Sequence, residues 1–172
     1  MHAAVLTLAL IAALPAAAQE LRTDIHYRLS TELRGPDQAL GVVNGGRLDG
    51  AAALEPVANV SSQYWRVTLG AGGTVRLTSM FRGPEVCLSA IPEGEDRAGE
   101  ATLRPCAEAP GQRWRPEADG TRFRLIAAGL PGRPQCLEVI ADGEAAGRLR
   151  LGLCGFWASQ FWTFAPTDQP VN

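Results

Sequence analysis

Outside the first 18 residues the side chains able to do chemistry are few. Carboxylates, hydroxyls and arginines apart, they are four cysteines (Cys87, Cys106, Cys136, Cys154), one histidine (His26) and four tryptophans, three of which close a Gln-x-Trp triplet. Four cysteines can cross-link or hold a metal, but there is no C-x-x-C pair and no histidine near them, which weighs against zinc. A lone histidine close to the start removes the commonest acid/base arrangements. With no lysine in the chain, a phosphate loop with its following Lys is absent. The scattered carboxylates include no pair that the sequence can place side by side, so a glycosidase would rest on their number alone. The expectation is a protein that is not an enzyme and uses no cofactor and no metal.

The 172 residues suit one domain with a core of its own. A formal charge of −2 with mixed signs leaves no footprint for nucleic acid or an anionic membrane. Residues 1–18 read as a signal peptide: an apolar run from Val5 to Leu14, then Pro15 and the small triplet Ala16-Ala17-Ala18, with Gln19 first after cleavage. The run is too short for an ordinary spanning helix. A secreted or periplasmic product, not spanning a membrane, is expected.

The elements that must position these residues come in three copies. Each copy opens on Tyr27-Arg28-Leu29, Val75-Arg76-Leu77 or Phe123-Arg124-Leu125, and closes on Gln63-Tyr64-Trp65, Gln112-Arg113-Trp114 or Gln160-Phe161-Trp162. Leu40, Leu88 and Leu137 match early in the unit; Leu54, Leu103 and Leu151 match late. Short β-like segments between turn clusters such as Asn44-Gly45-Gly46, Asp119-Gly120 and Asp142-Gly143 predict hairpins, and no amphipathic helix stands out. The units span about 27–73, 74–121 and 122–166, after a lead-in over 19–26 and before a tail over 167–172.

Four cysteines allow three pairings. Cys87 and Cys106 occupy in unit two the places that Cys136 and Cys154 occupy in unit three, so equivalence selects Cys87 with Cys106 and Cys136 with Cys154. Unit one carries Ala39 and Val57 there, losing both partners together. Each bridge would contribute about 3 kcal/mol in the chain-entropy model in an oxidising compartment.

In a strand, residues i and i+2 share a face, so the Gln and Trp of each triplet are expected to point inward together. Three indoles would meet in one core, and each buried Gln would bond the backbone of a turn in its own unit. The pattern Cys-Leu-x-Val/Ala, Leu-x-x-Cys, Gln-x-Trp at this threefold spacing resembles the ricin-B-type β-trefoil lectin family over about Tyr27 to Phe164. The resemblance implies an all-β fold, a β-trefoil of three pseudo-symmetric four-stranded units, with a shallow sugar pocket available to each unit.

In that family a carboxylate two residues after the first cysteine and an aromatic platform before the second hold the sugar, with an Asn before the Gln. Carried over, the carboxylate place holds Gly41, Ser89 and Glu138, the platform place Glu55, Arg104 and Gly152, and the last place Ser62, Gly111 and Ser159. Units one and two therefore look unable to bind by the usual route. Glu138, Gln160 and the one tryptophan outside the core set, Trp157, are the carbohydrate-binding candidates. Glu138 could equally be an exposed strand carboxylate paired with an arginine. Phe156 is expected to pack and Trp157 to recognise. The functional expectation is a weak lectin-like module binding a glycan through unit three. The alternative is a protein-interaction or adhesion subunit without sugar, similar to the trefoil subunits of cytolethal distending toxins, and a trefoil protease inhibitor is a third reading.

Overall fold

The computed structural model describes residues 20–96 and 99–171, the side chain of Arg47 excepted; the segment read as a signal peptide lies outside them. Four strands form in each unit. Unit one holds β1 (Ile25–Thr31), β2 (Gln38–Val42), β3 (Ala52–Pro56) and β4 (Trp65–Leu69). Unit two holds β5 (Val75–Ser79), β6 (Val86–Ala90), β7 (Ala101–Pro105) and β8 (Trp114–Asp119). Unit three holds β9 (Arg122–Ala127), β10 (Gln135–Val139), β11 (Leu149–Leu153) and β12 (Trp162–Pro170). The only helical pieces among the described residues are single 3-10 turns, at Gly46–Leu48, Ser61–Gln63, Ala71–Gly73 and Ala158–Gln160.

The outer strands of every unit join a closed antiparallel ring in the order β1, β4, β5, β8, β9, β12 and back to β1. Closure removes the free edges that an open sheet exposes. The inner pairs β2–β3, β6–β7 and β10–β11 are hairpins with matched registers that cap the barrel. They touch one another through the bridges Ala53 to Arg148 and Glu100 to Arg150. The lead-in and the tail take part in the ring, since Ile25 pairs with Pro170 and Val171 donates its N–H to the Asp24 carbonyl.

Trp65, Trp114 and Trp162 are fully buried in one core with Leu40, Leu88 and Leu137. Each indole Nε1 donates to the carbonyl of its own unit's leucine, at 2.7, 3.0 and 3.0 Å. Burying a polar N–H without a partner is costly, and the threefold bond removes that cost. Gln63, Gln112 and Gln160 are buried and bond the backbone of their own units, with Gln63 accepting from Ala58 N and donating to the Pro56 carbonyl. Strand alternation does not account for the triplets, however. Gln63 and Gln160 end 3-10 turns, the strand starts at the Trp, and the middle residues Tyr64 and Phe161 are buried as well. Arginines cover those rings: Arg28 lies 5.6 Å from the Tyr64 centroid and Arg122 lies 4.3 Å from that of Phe161.

Both disulfides form as the repeat predicts, Cys87 to Cys106 and Cys136 to Cys154, with Cα atoms 5.1 and 5.0 Å apart. No helix of the described residues is long and apolar enough to cross a membrane.

Candidate functional site

In unit three the β10–β11 hairpin places Glu138 opposite Arg150, and the 3-10 turn brings in Gln160. The Glu138 carboxylate accepts from Gln160 Nε2 at 2.7 Å and from Arg150 Nε at 2.5 Å. Its residue is only 6% exposed. The arginine expected beside an exposed carboxylate is present, but the carboxylate is buried. Gly152 supplies the room, since a Cβ there would stand 2.5 Å from Glu138 Oε2. A buried carboxylate is tolerated where donors meet it, and two do so here.

Gln160 passes the connection outward. Its Oε1 accepts from the Gly155 N–H at 2.9 Å, and Gly155 is where the Trp157 indole folds back, its Nε1 2.7 Å from the position a Gly155 Cβ would take. The three candidates therefore form one chain, Glu138 to Gln160 to Gly155 to Trp157, with the carboxylate closed off beneath and the indole 66% exposed. Phe156, expected to pack, is instead 84% exposed. It rests by one face on Arg124, whose guanidinium lies 4.9 Å from the ring centroid and is fixed by Glu117 and the Gly155 carbonyl.

Unit one fills the same space from the other strand. Ala39 pairs with Glu55 as Cys136 pairs with Gly152, so Gly41 and Glu55 exchange the roles of Glu138 and Gly152. Glu55 Oε2 lies 2.5 Å from where a Gly41 Cβ would be, with Gln63 Cγ at 3.3 Å. No described residue bonds or pairs with the Glu55 carboxylate. It opens instead on a concavity of about 470 Å³ shared with Asn44, Ser61, Ser62, Gln63 and the half-exposed ring of Phe81. By sequence position this carboxylate occupies the platform place. The reciprocal Gly/Glu exchange between units one and three was the available signal, and it acquires meaning only once β2 is paired with β3.

Unit two has neither arrangement. Arg104 is bound to Glu95 at 2.7 Å, and Ser89 Oγ donates to the Cys87 carbonyl. Gly111, at φ +80°, sits so close to Ala90 that a Cβ would meet its carbonyl at 2.6 Å, closing the place where Ser62 and Ser159 stand elsewhere. Among the described residues no group of three or more His, Cys, Asp and Glu could hold a metal.

No family model matches the sequence, and no curated protein matches it to significance. Solved structures do match in shape. The designed threefold-symmetric protein ThreeFoil aligns at TM-score 0.65 with 19% identity, over 81% of this chain and 97% of its own. The fold is a β-trefoil. The Polyporus squamosus lectin bound to a human-type influenza-binding epitope aligns at 0.62 with 10% identity, over 84% of the trefoil chain and 50% of the lectin. The Haemophilus ducreyi cytolethal distending toxin aligns at 0.60 with 13% identity, over 87% and 89%. At these identities the likeness concerns the trefoil scaffold alone.

Proposed function

We propose that the chain is an exported, non-catalytic carbohydrate-binding module whose single sites are weak. The observation that carries this reading is the unpartnered Glu55 carboxylate in the unit-one concavity, with Phe81 and the Ser61 and Ser62 hydroxyls around it. A carboxylate accepts from vicinal hydroxyls, a ring face packs the C–H side of a sugar, and shallow polar concavities of this kind suit saccharides. In unit three the contact is the exposed Trp157, with Glu138 and Gln160 acting as positioning residues that fix the Gly155 turn beneath it. Two disulfides suit an oxidising compartment.

A multivalent glycan array with the wild-type protein, Glu55→Gln, Trp157→Ala and the double variant tests it. Each single variant lowers the signal and the double variant abolishes it, because two weak sites gain by acting together. Background signal from the wild-type protein on every glycan would end the reading.

The second reading, a protein-interaction or adhesion subunit, is favoured by one surface: exposed Phe156 and Trp157 beside Arg122, Arg124 and Phe161. Aromatic residues and arginine are the types enriched at interface hot spots. A pull-down from the native secretome should then return a stoichiometric partner that Phe156→Ala loses; recovery of no partner counts against it.

A further inference from the structure

A row of polar side chains crosses three adjacent barrel strands. His26 on β1 pairs with Arg66 on β4, and Arg66 pairs with Thr78 on β5. Cross-strand partners share a face. Their chain neighbours Tyr27, Trp65 and Leu77 belong to the core, so the row lies on the opposite face, with His26 and Thr78 buried there and Arg66 partly exposed. It lines a concavity of about 280 Å³ completed by Met80, Pro84, Pro170 and Val171. No Asp or Glu lines it.

Arg66 is half-buried, its Nε is shut off from solvent without an acceptor, and no described residue offers it a carboxylate or a carbonyl. The threefold repeat supplies controls. At the equivalent row of unit three the cation is Arg122, and it is neutralised internally by both Glu32 and Asp119. In unit two Arg115 takes the Arg66 place but is exposed, so water serves it. Arg28, Arg76 and Arg124 also have a buried Nε without an acceptor, yet each bonds a carbonyl through a terminal nitrogen. Arg66 alone among these combines partial burial with no counter-group at all.

We propose that this concavity binds an oxyanion group, a carboxylate or a sulfate carried on a small uncharged body, through the Arg66 guanidinium and the Thr78 hydroxyl. A half-buried guanidinium recovers its lost hydration best from a charged acceptor, and its planar fork matches such oxygens. His26 forms a wall: its Nδ1 is 3.2 Å from the Gln169 carbonyl, which ties the ring to β12. Met80, Pro84 and Pro170 give the uncharged body an apolar surface. The site shares no residue with the Glu55 concavity or the Trp157 loop, so it stands whether or not neutral glycans bind there.

Amide NMR titration of the purified protein at constant ionic strength tests it, with D-glucuronate and sodium sulfate as probes and glucose as the uncharged control. At least one anion should give saturable shifts at Arg66, Thr78 and Val171 that glucose does not, and the stronger of the two identifies the group. Arg66→Gln should weaken that binding by about tenfold or more, the worth of one charge-assisted contact. Arg66→Lys covers the case in which Arg66→Gln does not fold: it keeps the charge without the fork and should weaken glucuronate more than sulfate. Absence of saturable shifts with both anions, equal shifts with glucose, or affinities unchanged in both variants overturns the proposal.

Discussion

Glu55 covers Gly41 across one hairpin as Glu138 covers Gly152 across its symmetry mate, each carboxylate standing 2.5 Å from the Cβ position of the glycine it faces. The two carboxylates reach like places from opposite strands, but only Glu138 is bonded there. That difference separates two substitutions that look the same in the sequence. Gly152→Ala drives a methyl against a carboxylate held by Gln160 and Arg150, and is expected to cost about 1–3 kcal/mol. Gly41→Ala displaces an untethered side chain and should cost under about 1 kcal/mol while lowering glycan signal. Urea unfolding of both variants, paired with the array, distinguishes them.

Removing the carboxylates themselves gives the complementary result. Glu138→Ala strips a buried acceptor from Gln160 and should destabilise by about 1–3 kcal/mol. Glu55→Ala breaks no bond to a described residue and should stay within about 0.5 kcal/mol of wild type. Equal midpoint shifts in chemical denaturation would contradict this division.

Much of the scaffold was legible in the sequence because its residues recur in register. Trp65, Trp114 and Trp162 announced a shared core, and the cysteine pairs followed from equivalence. Glu55 was not legible as the counterpart of Glu138, because alignment compares like positions whereas the space is shared between strands. The contact of Phe156 was hidden for a related reason: Arg124, on which it rests, comes from the opening strand of the unit, far away in sequence. The 3-10 turns at Gln63 and Gln160 escaped because i, i+2 spacing is satisfied equally by a strand and by a turn leading into one.

The missing bridge of unit one can be restored. Val57 N donates to the Asp37 carbonyl as Cys106 N does to Glu85 and Cys154 N to Pro134, so its backbone already occupies the bridging position. The double substitution A39C/V57C should form a third disulfide and add about 3 kcal/mol. Thermal unfolding with and without reductant should show a gain present only in the oxidised protein.

Acid should remove one specific surface contribution. Arg113 and Arg76 both bond Glu108 and hold its carboxyl below the ordinary value of 4.5. A depressed pKa in the folded state contributes stability fully above 4.5 and loses it as pH falls through the folded value. The Tm difference between wild type and Glu108→Gln should therefore be small and constant above pH 4.5, and vanish as the pH falls through the lower folded-state value. It should also shrink with added salt, since the carboxylate is exposed. A difference that grew towards acid would reverse the assignment.

The pairing of β12 with β1 makes the same kind of contact that β4 makes with β5 and β8 with β9. In those two pairs a short turn joins the strands; in the third they meet without one. The barrel is thus a ring cut at one of three equivalent corners. Joining residues 25 and 170 by a short linker and opening the exposed Ala71–Gly73 turn would redraw the chain as a circular permutant with every strand pairing of the ring retained.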